Sequence, residues 1–182
     1  MTERRILQLG DPGLREVSAP VLEPDAEAVG QLAADLRDTL LDHRHRTGYG
    51  RGIAAPQLDR LQRVVHVELD GSRTLVNPVF TARSDETMEI WDSCFSYFSI
   101  AFPVRRHVLI EVAYQELGGR EQRIEATGHL AELLQHEIDH LDGVLAIDRV
   151  TDVRRICSLS EWTKRHAGDN DRIVADAVAR LR

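Results

Sequence analysis

Apolar side chains recur at helical spacing in two stretches of this chain and alternate at strand spacing between them. From about Asp25 to Arg46, Val29, Leu32, Ala33, Leu36, Leu40 and Leu41 form one stripe, which predicts a helix packing one face on a core. Short alternating runs follow at Val64 to Leu69, Leu75-Val76, Val79-Phe80 and Val108 to Tyr114, with turn residues at Asp70-Gly71 and Gly118-Gly119. They predict antiparallel strands. A second stripe, Leu130, Leu133, Leu134, Ile138 and Leu141, predicts a helix from about Gly128 to Leu141. The expected fold class is α+β, with antiparallel β-sheets packed around that helix. Val153 to Leu159 reads as ordinary helix with a structural thiol at Cys157, and a charged helical tail from about 168 to 182 either frays or docks.

The second helix carries the chemistry. His136 and His140 lie four apart in Gln135-His136-Glu137-Ile138-Asp139-His140, one turn above each other, so both imidazoles can hold one divalent metal. Glu137 sits beside the first of them, placed as a proton acceptor for a water on that metal, which is the working part of a hydrolase. An amphipathic surface helix with solvated histidines would show the same letters. The apolar stripe argues against it, because it buries this helix against a core.

Composition narrows the setting. The chain has 182 residues with 42% hydrophobic content, enough for one sizeable core, and a single domain spanning 1–182 is expected. No apolar run is long enough to span a bilayer, and the first residues show no signal-peptide stretch, so a cytoplasmic location without membrane partners is expected. A net charge of −7 argues against stable nucleic-acid binding, although Arg105-Arg106-His107 is a local basic cluster. The two cysteines, Cys94 and Cys157, cannot build a disulfide framework.

Two further blocks bear on the same chemistry. Gly50-Arg51-Gly52-Ile53-Ala54-Ala55-Pro56-Gln57 combines Gly50 and Gly52, which allow close backbone approach to a ligand, with the Gln57 amide, which can donate to a developing oxyanion. Trp91-Asp92-Ser93-Cys94-Phe95-Ser96 offers a third metal ligand in Cys94. In this order and at these intervals, the blocks resemble the GxGxAAxQ, EGCLS and HExDH motifs of peptide deformylase. The match runs from Leu9-Gly10-Asp11-Pro12 to Asp142-Gly143-Val144-Leu145. The resemblance implies that Cys94, His136 and His140 bind one metal ion with water in the fourth position. It implies ferrous iron, where the donor set alone would suit zinc, nickel or cobalt as well. It further implies that Glu137 is the base, that Gln57 and the backbone N–H of Phe95 hold the oxyanion, and that the substrate is an N-formylmethionyl peptide or related N-formyl amine. Transient association with the ribosome belongs to the same expectation, and the oligomeric state is left open.

The chain also departs from the family pattern. Asp92-Ser93 stands where the family has Glu-Gly, so Ser93 needs more room beside the substrate backbone. Glu132 is four residues and His129 seven residues before His136, so both share a helix face with the ligand, beside Leu133. In the family this face and the middle residue of the glycine block form an apolar pocket for methionine. Here the matching residues are His129, Glu132 and Arg51. Arg51 and Glu132 either pair with each other, await a polar substrate, or point to solvent. Asp139 is expected to pair with Arg105 or Arg106. Two readings therefore stand beside the formylmethionyl one: a deformylase of a small polar N-formyl metabolite, and a metal-binding protein of weak turnover. Keeping Glu137 and Gln57 together speaks against the last, because binding alone needs neither base nor oxyanion donor.

Overall fold

The computed structural model describes residues 5–181, so residues 1–4 and 182 of the expected domain lie outside the described residues. Helix α1 (Glu27–Thr47) ends at Gly48, whose left-handed φ of 79° closes the last turn, and it buries Val29, Leu32, Leu36 and Leu40. Helix α2 (Gly128–Leu141) follows the expected bounds. Strands β1 (Gly52–Ala54), β2 (Val64–Glu68), β3 (Ser72–Arg83), β6 (Leu109–Gln115) and β7 (Glu121–Thr127) form a five-stranded antiparallel sheet in the order β1-β2-β3-β6-β7. Strands β4 (Thr87–Asp92), β5 (Ile100–His107) and β8 (Cys157–Ser158) form a second, three-stranded sheet. Helices α3 (Leu159–His166) and α4 (Asp169–Ala179) complete the described chain. Among the described residues no helix is long and apolar enough to cross a membrane.

Several elements differ from the sequence reading. The two runs Leu75-Val76 and Val79-Phe80 are one strand, β3, whose register on β6 shifts between Val76 and Val79. Asn77, at φ 52°, breaks the alternation there, and its amide bonds the Val21 backbone instead. Ile100 to Pro103, outside the strands expected from the sequence, opens β5. Pro103 faces Trp91 at a pair where no ladder bond is needed, because Trp91 sends its N–H and C=O to the other side. Cys157 is not helical: Val153–Arg155 is a single 3-10 turn, and Cys157 pairs with Ala101 as an edge residue. The tail docks as one helix, α4, and a further helix, α3, precedes it between Leu159 and His166.

Helix α2 lies between the sheets, and all its residues except His129 and Leu130 are buried. One side, with Ala131, Leu134, Ile138 and Leu141, packs on Val65, Val67, Leu75, Ile110 and Val112 of the large sheet. Burying the other side as well removes water from its polar residues, which makes partners within the protein valuable. Gln135 shows the pattern: its amide accepts from the His107 N–H at 2.9 Å and donates to the His107 carbonyl at 3.0 Å, fastening the helix to β5.

Candidate metal centre and active site

Cys94, immediately after β4 and Ser93, meets the two histidines of α2, and one ligand atom from each lies within 4.8 Å of the others. The Cys94 Sγ to His140 Nε2 distance is 3.3 Å. Ligands of a tetrahedral ion stand roughly 3.3–3.6 Å apart, so the set fits a single divalent metal with little movement. Asp92 decides how His136 is presented. Its carboxylate lies 3.0 Å from His136 Nδ1, and an ionised carboxylate can only accept, so Nδ1 carries the proton and Nε2 is left for the ion.

Asp92 is held in turn by Arg106, whose Nη2 is 3.1 Å from it while Nη1 is 2.5 Å from Asp139. Arg149 adds a two-pronged contact to Asp139 at 2.6 Å and 2.6 Å. The open choice between Arg105 and Arg106 is settled by strand alternation: adjacent residues of β5 face opposite ways, so Arg105 is exposed and Arg106 is 2% exposed. The same fact removes Arg106 from the surface basic cluster. Burial opposes the Asp92 charge, but His136 and Arg106 outweigh it and hold the carboxyl well below the usual carboxylate range. Burial also lowers His136, yet Asp92 overrides it and raises that imidazole well above its ordinary value, while burial and the His136 charge push His140 well below. Asp92 was not singled out as a site residue from sequence. A carboxylate two positions before a candidate thiolate ligand, on a strand, was the available signal.

Glu137 is 3% exposed and its Oε2 has no hydrogen-bond partner among the described residues. A Cβ on Gly52 would stand 2.6 Å from Glu137 Oε1, so only glycine leaves this carboxylate its place. Burial raises Glu137 to about 7; Asp92 and Glu132 add to the rise, against His136 and Arg51. Gln57 borders the same cluster. Its Oε1 accepts from the Ala54 N–H at 2.9 Å, which fixes the amide orientation and turns Nε2 toward Cys94 Sγ at 3.4 Å and Ser96 Oγ at 3.3 Å. The Phe95 ring packs on His43, with centroids 4.0 Å apart, and closes the wall beside Gly50.

These groups line one cavity of about 310 Å³, shared by Gly50, Arg51, Gly52, Gln57, Ser93, Cys94, Phe95, His129, Glu132, Leu133, His136 and Glu137. Of the ligand set, His140 lies behind this surface at 0% exposure. Arg51 Nη2 is 2.8 Å from Glu132 Oε2, so these two residues pair, with Glu132 1% and Arg51 38% exposed. His129 lies at the rim, 2.9 Å from Asp171 of α4. Leu159, Trp162, Gly168 and Asn170, none of them anticipated, also border the cavity.

A cluster fit for one ion, with a buried proton acceptor and an oriented amide donor beside it, belongs with the metal-dependent hydrolases. The model of the family Polypeptide deformylase matches residues 3–155, and the chain belongs to that family. A peptide deformylase-like protein from Brucella melitensis is 38% identical over 167 residues, which are 90% of this chain and 98% of that one. A peptide deformylase from Thermomicrobium roseum is 37% identical, covering 98% of each chain. A solved peptide deformylase from Acinetobacter baumannii with Met-Ala-Ser bound superposes with a TM-score of 0.74 at 29% identity, covering 80% of this chain and 96% of that one. The chain is accordingly a metal-dependent deformylase with the α+β fold of its family.

Arg106→Leu should lower the unfolding free energy by about 3–5 kcal/mol, because it takes the shared buried cation from Asp92 and Asp139 and leaves them only His136 and Arg149, whereas Arg105→Leu should stay within about 0.5 kcal/mol. Urea denaturation of both variants checks this, and equal losses would contradict the assignment.

Proposed function

We propose that this chain hydrolyses N-formyl amides of amino acids and peptides, releasing formate and a free amine, and that Cys94, His136 and His140 hold the single divalent ion it uses. Ferrous iron is the ion the family resemblance implies, while zinc, nickel and cobalt also suit one thiolate and two imidazoles. When bound, that ion supplies Lewis-acid activation of water and of the formyl carbonyl. Glu137 takes the proton of the attacking water and returns it to the leaving nitrogen. Gln57 Nε2 and the Phe95 backbone N–H donate to the carbonyl oxygen as it becomes negative. Gly50 and Gly52 let the substrate backbone come close, beside Ser93. A cytoplasmic setting would keep Cys94 reduced, in keeping with two free cysteines.

The observation carrying this reading is the unpartnered, buried Glu137 Oε2 beside the three-residue ligand cluster. An acid left without a partner costs stability, and such groups cluster at functional sites. The peptide bound in the Acinetobacter relative supports a peptide-like ligand in the same cavity.

The Arg51–Glu132 pair favours a more specific reading, in which the first side chain is polar. A thioether placed there displaces water from charged groups and gains no hydrogen bond, so methionine is a poor fit. His129 and Leu133 complete that pocket wall. Substrates of this description include a small polar N-formyl metabolite.

Glu137→Ala should keep fold and metal content and lose about 10²–10⁴ in turnover. A formate-release assay on anaerobically loaded protein tests it, and near-full activity would remove Glu137 as the base. The double variant Arg51→Ile/Glu132→Ile should raise kcat/KM for a formyl-Met peptide by roughly 5- to 150-fold, the value of about 1–3 kcal/mol of apolar contact. It should lower kcat/KM for a polar first residue. Arg51→Ile alone should be harmful, since it strands the more buried Glu132. A methionine-to-polar ratio within about twofold of the parent would show that the pair does not shape this pocket.

A further inference from the structure

The cavity lies between two strand edges. Strand β1 pairs only with β2, and β4 pairs only with β5, in the described sheets. An extended peptide lying between them would add a strand to such an edge through main-chain hydrogen bonds. At β4 the outward-facing groups nearest the cavity are the N–H and C=O of Trp91, and both are taken. The Asn170 amide, at the start of α4, accepts from the Trp91 N–H at 3.0 Å and donates to the Trp91 carbonyl at 2.8 Å, so one side chain copies the pairing of a neighbouring strand. The Trp91 ring is held as well, stacked on His166 with centroids 4.4 Å apart and faced by Arg155 at 5.2 Å.

The unit bearing Asn170 is seated firmly. Val174 occupies the space where a Cβ on Gly128 would lie, at 2.7 Å, and His129 bonds Asp171 at 2.9 Å, so α4 sits on the first turn of α2. Leu159 and Trp162 of α3 wall the same end of the cavity. The family match ends at residue 155, before either helix begins.

We propose, resting on the deformylase reading above, that Asn170 sets a limit on substrate length, so that N-formyl amino acids and formyl dipeptides are used and longer peptides are excluded. Trp91 is three residues before Cys94, about 10 Å along a strand, which is where the third residue of an extended substrate would seek its partner. With that edge occupied, the third residue gains no main-chain bonds and meets the α3–α4 wall.

The test is formate release by anaerobically metal-loaded full-length protein on N-formyl peptides of one to four residues sharing one polar first side chain, in wild type and Asn170→Ala. Wild-type kcat/KM should fall by about tenfold or more from the dipeptide to the tripeptide, and Asn170→Ala should recover most of that ratio while leaving the dipeptide within about twofold. Asn170→Asp keeps the acceptor for the Trp91 N–H and loses the donor, so its ratio should be intermediate; it also serves if the alanine variant fails to fold. Wild-type rates that rise with length, a length dependence unaffected by either substitution, or an equal loss at every length would each overturn the proposal. The last would mark Asn170 as a support for β4 only. Formate from no substrate at all would overturn the deformylase reading, and this inference with it.

Discussion

The buried guanidinium of Arg106 is the interaction on which the rest of the site depends. It joins Asp139, on the helix that carries His136 and His140, to Asp92, at the end of the strand leading into Cys94. Asp92 then orients His136, so one chain of charge-assisted bonds runs from Arg149 through Asp139, Arg106 and Asp92 to a ligand nitrogen. Each ligand-bearing element is thereby referred to the same cation. A buried charge network stabilises only when every member is paired. The carboxylate at position 92, shorter than the glutamate of the family motif, reaches both partners.

Much of this was legible in the residues, for identifiable reasons. Helix α2 follows from its stripe and its i, i+4 histidines, because helical spacing maps directly onto space. Cys94, Gln57 and the Gly50 to Gly52 block were recognisable as motifs, and the structure brings them to one cavity. What could not be read depends on tertiary pairing. Strand β4 mixes Glu89 and Asp92 with Met88, Ile90 and Trp91, because its Asp92 is buried for a partner rather than for hydrophobicity. Strand β7, Glu121–Thr127, buries only Ala126 and shows little apolar signal on its wet face. Arg106 and Arg105 are indistinguishable as letters, and only the register of β5 on β4 separates them. The Asn170 contact joins residues 79 apart in the chain and left no local trace.

The cavity combines two environments that the sequence suggested only in part. Next to Cys94 and His136 it is lined by buried charged groups, with Glu132 paired to Arg51 and Asp92 to Arg106. Arg51 faces Glu132 and Arg106 faces Asp92, while burial raises the unpartnered Glu137 to about 7. Toward its mouth the cavity is shaped by the C-terminal helices, whose contacts reach the first turn of α2 and the edge of β4. The ligand cluster lies inside the family match, and the C-terminal helices that border the cavity lie beyond it.

The central claim is that one ion is held jointly by Cys94, His136 and His140. Titrating the metal-free protein with Co²⁺ tests it most directly, because thiolate ligation and four-coordinate geometry each leave a distinct absorption signature. The account predicts saturation at one equivalent, with an intense visible band and a thiolate-to-cobalt charge-transfer band that Cys94→Ser abolishes. A charge-transfer band that survives in Cys94→Ser, or cobalt bound with no such band in the parent, would contradict it.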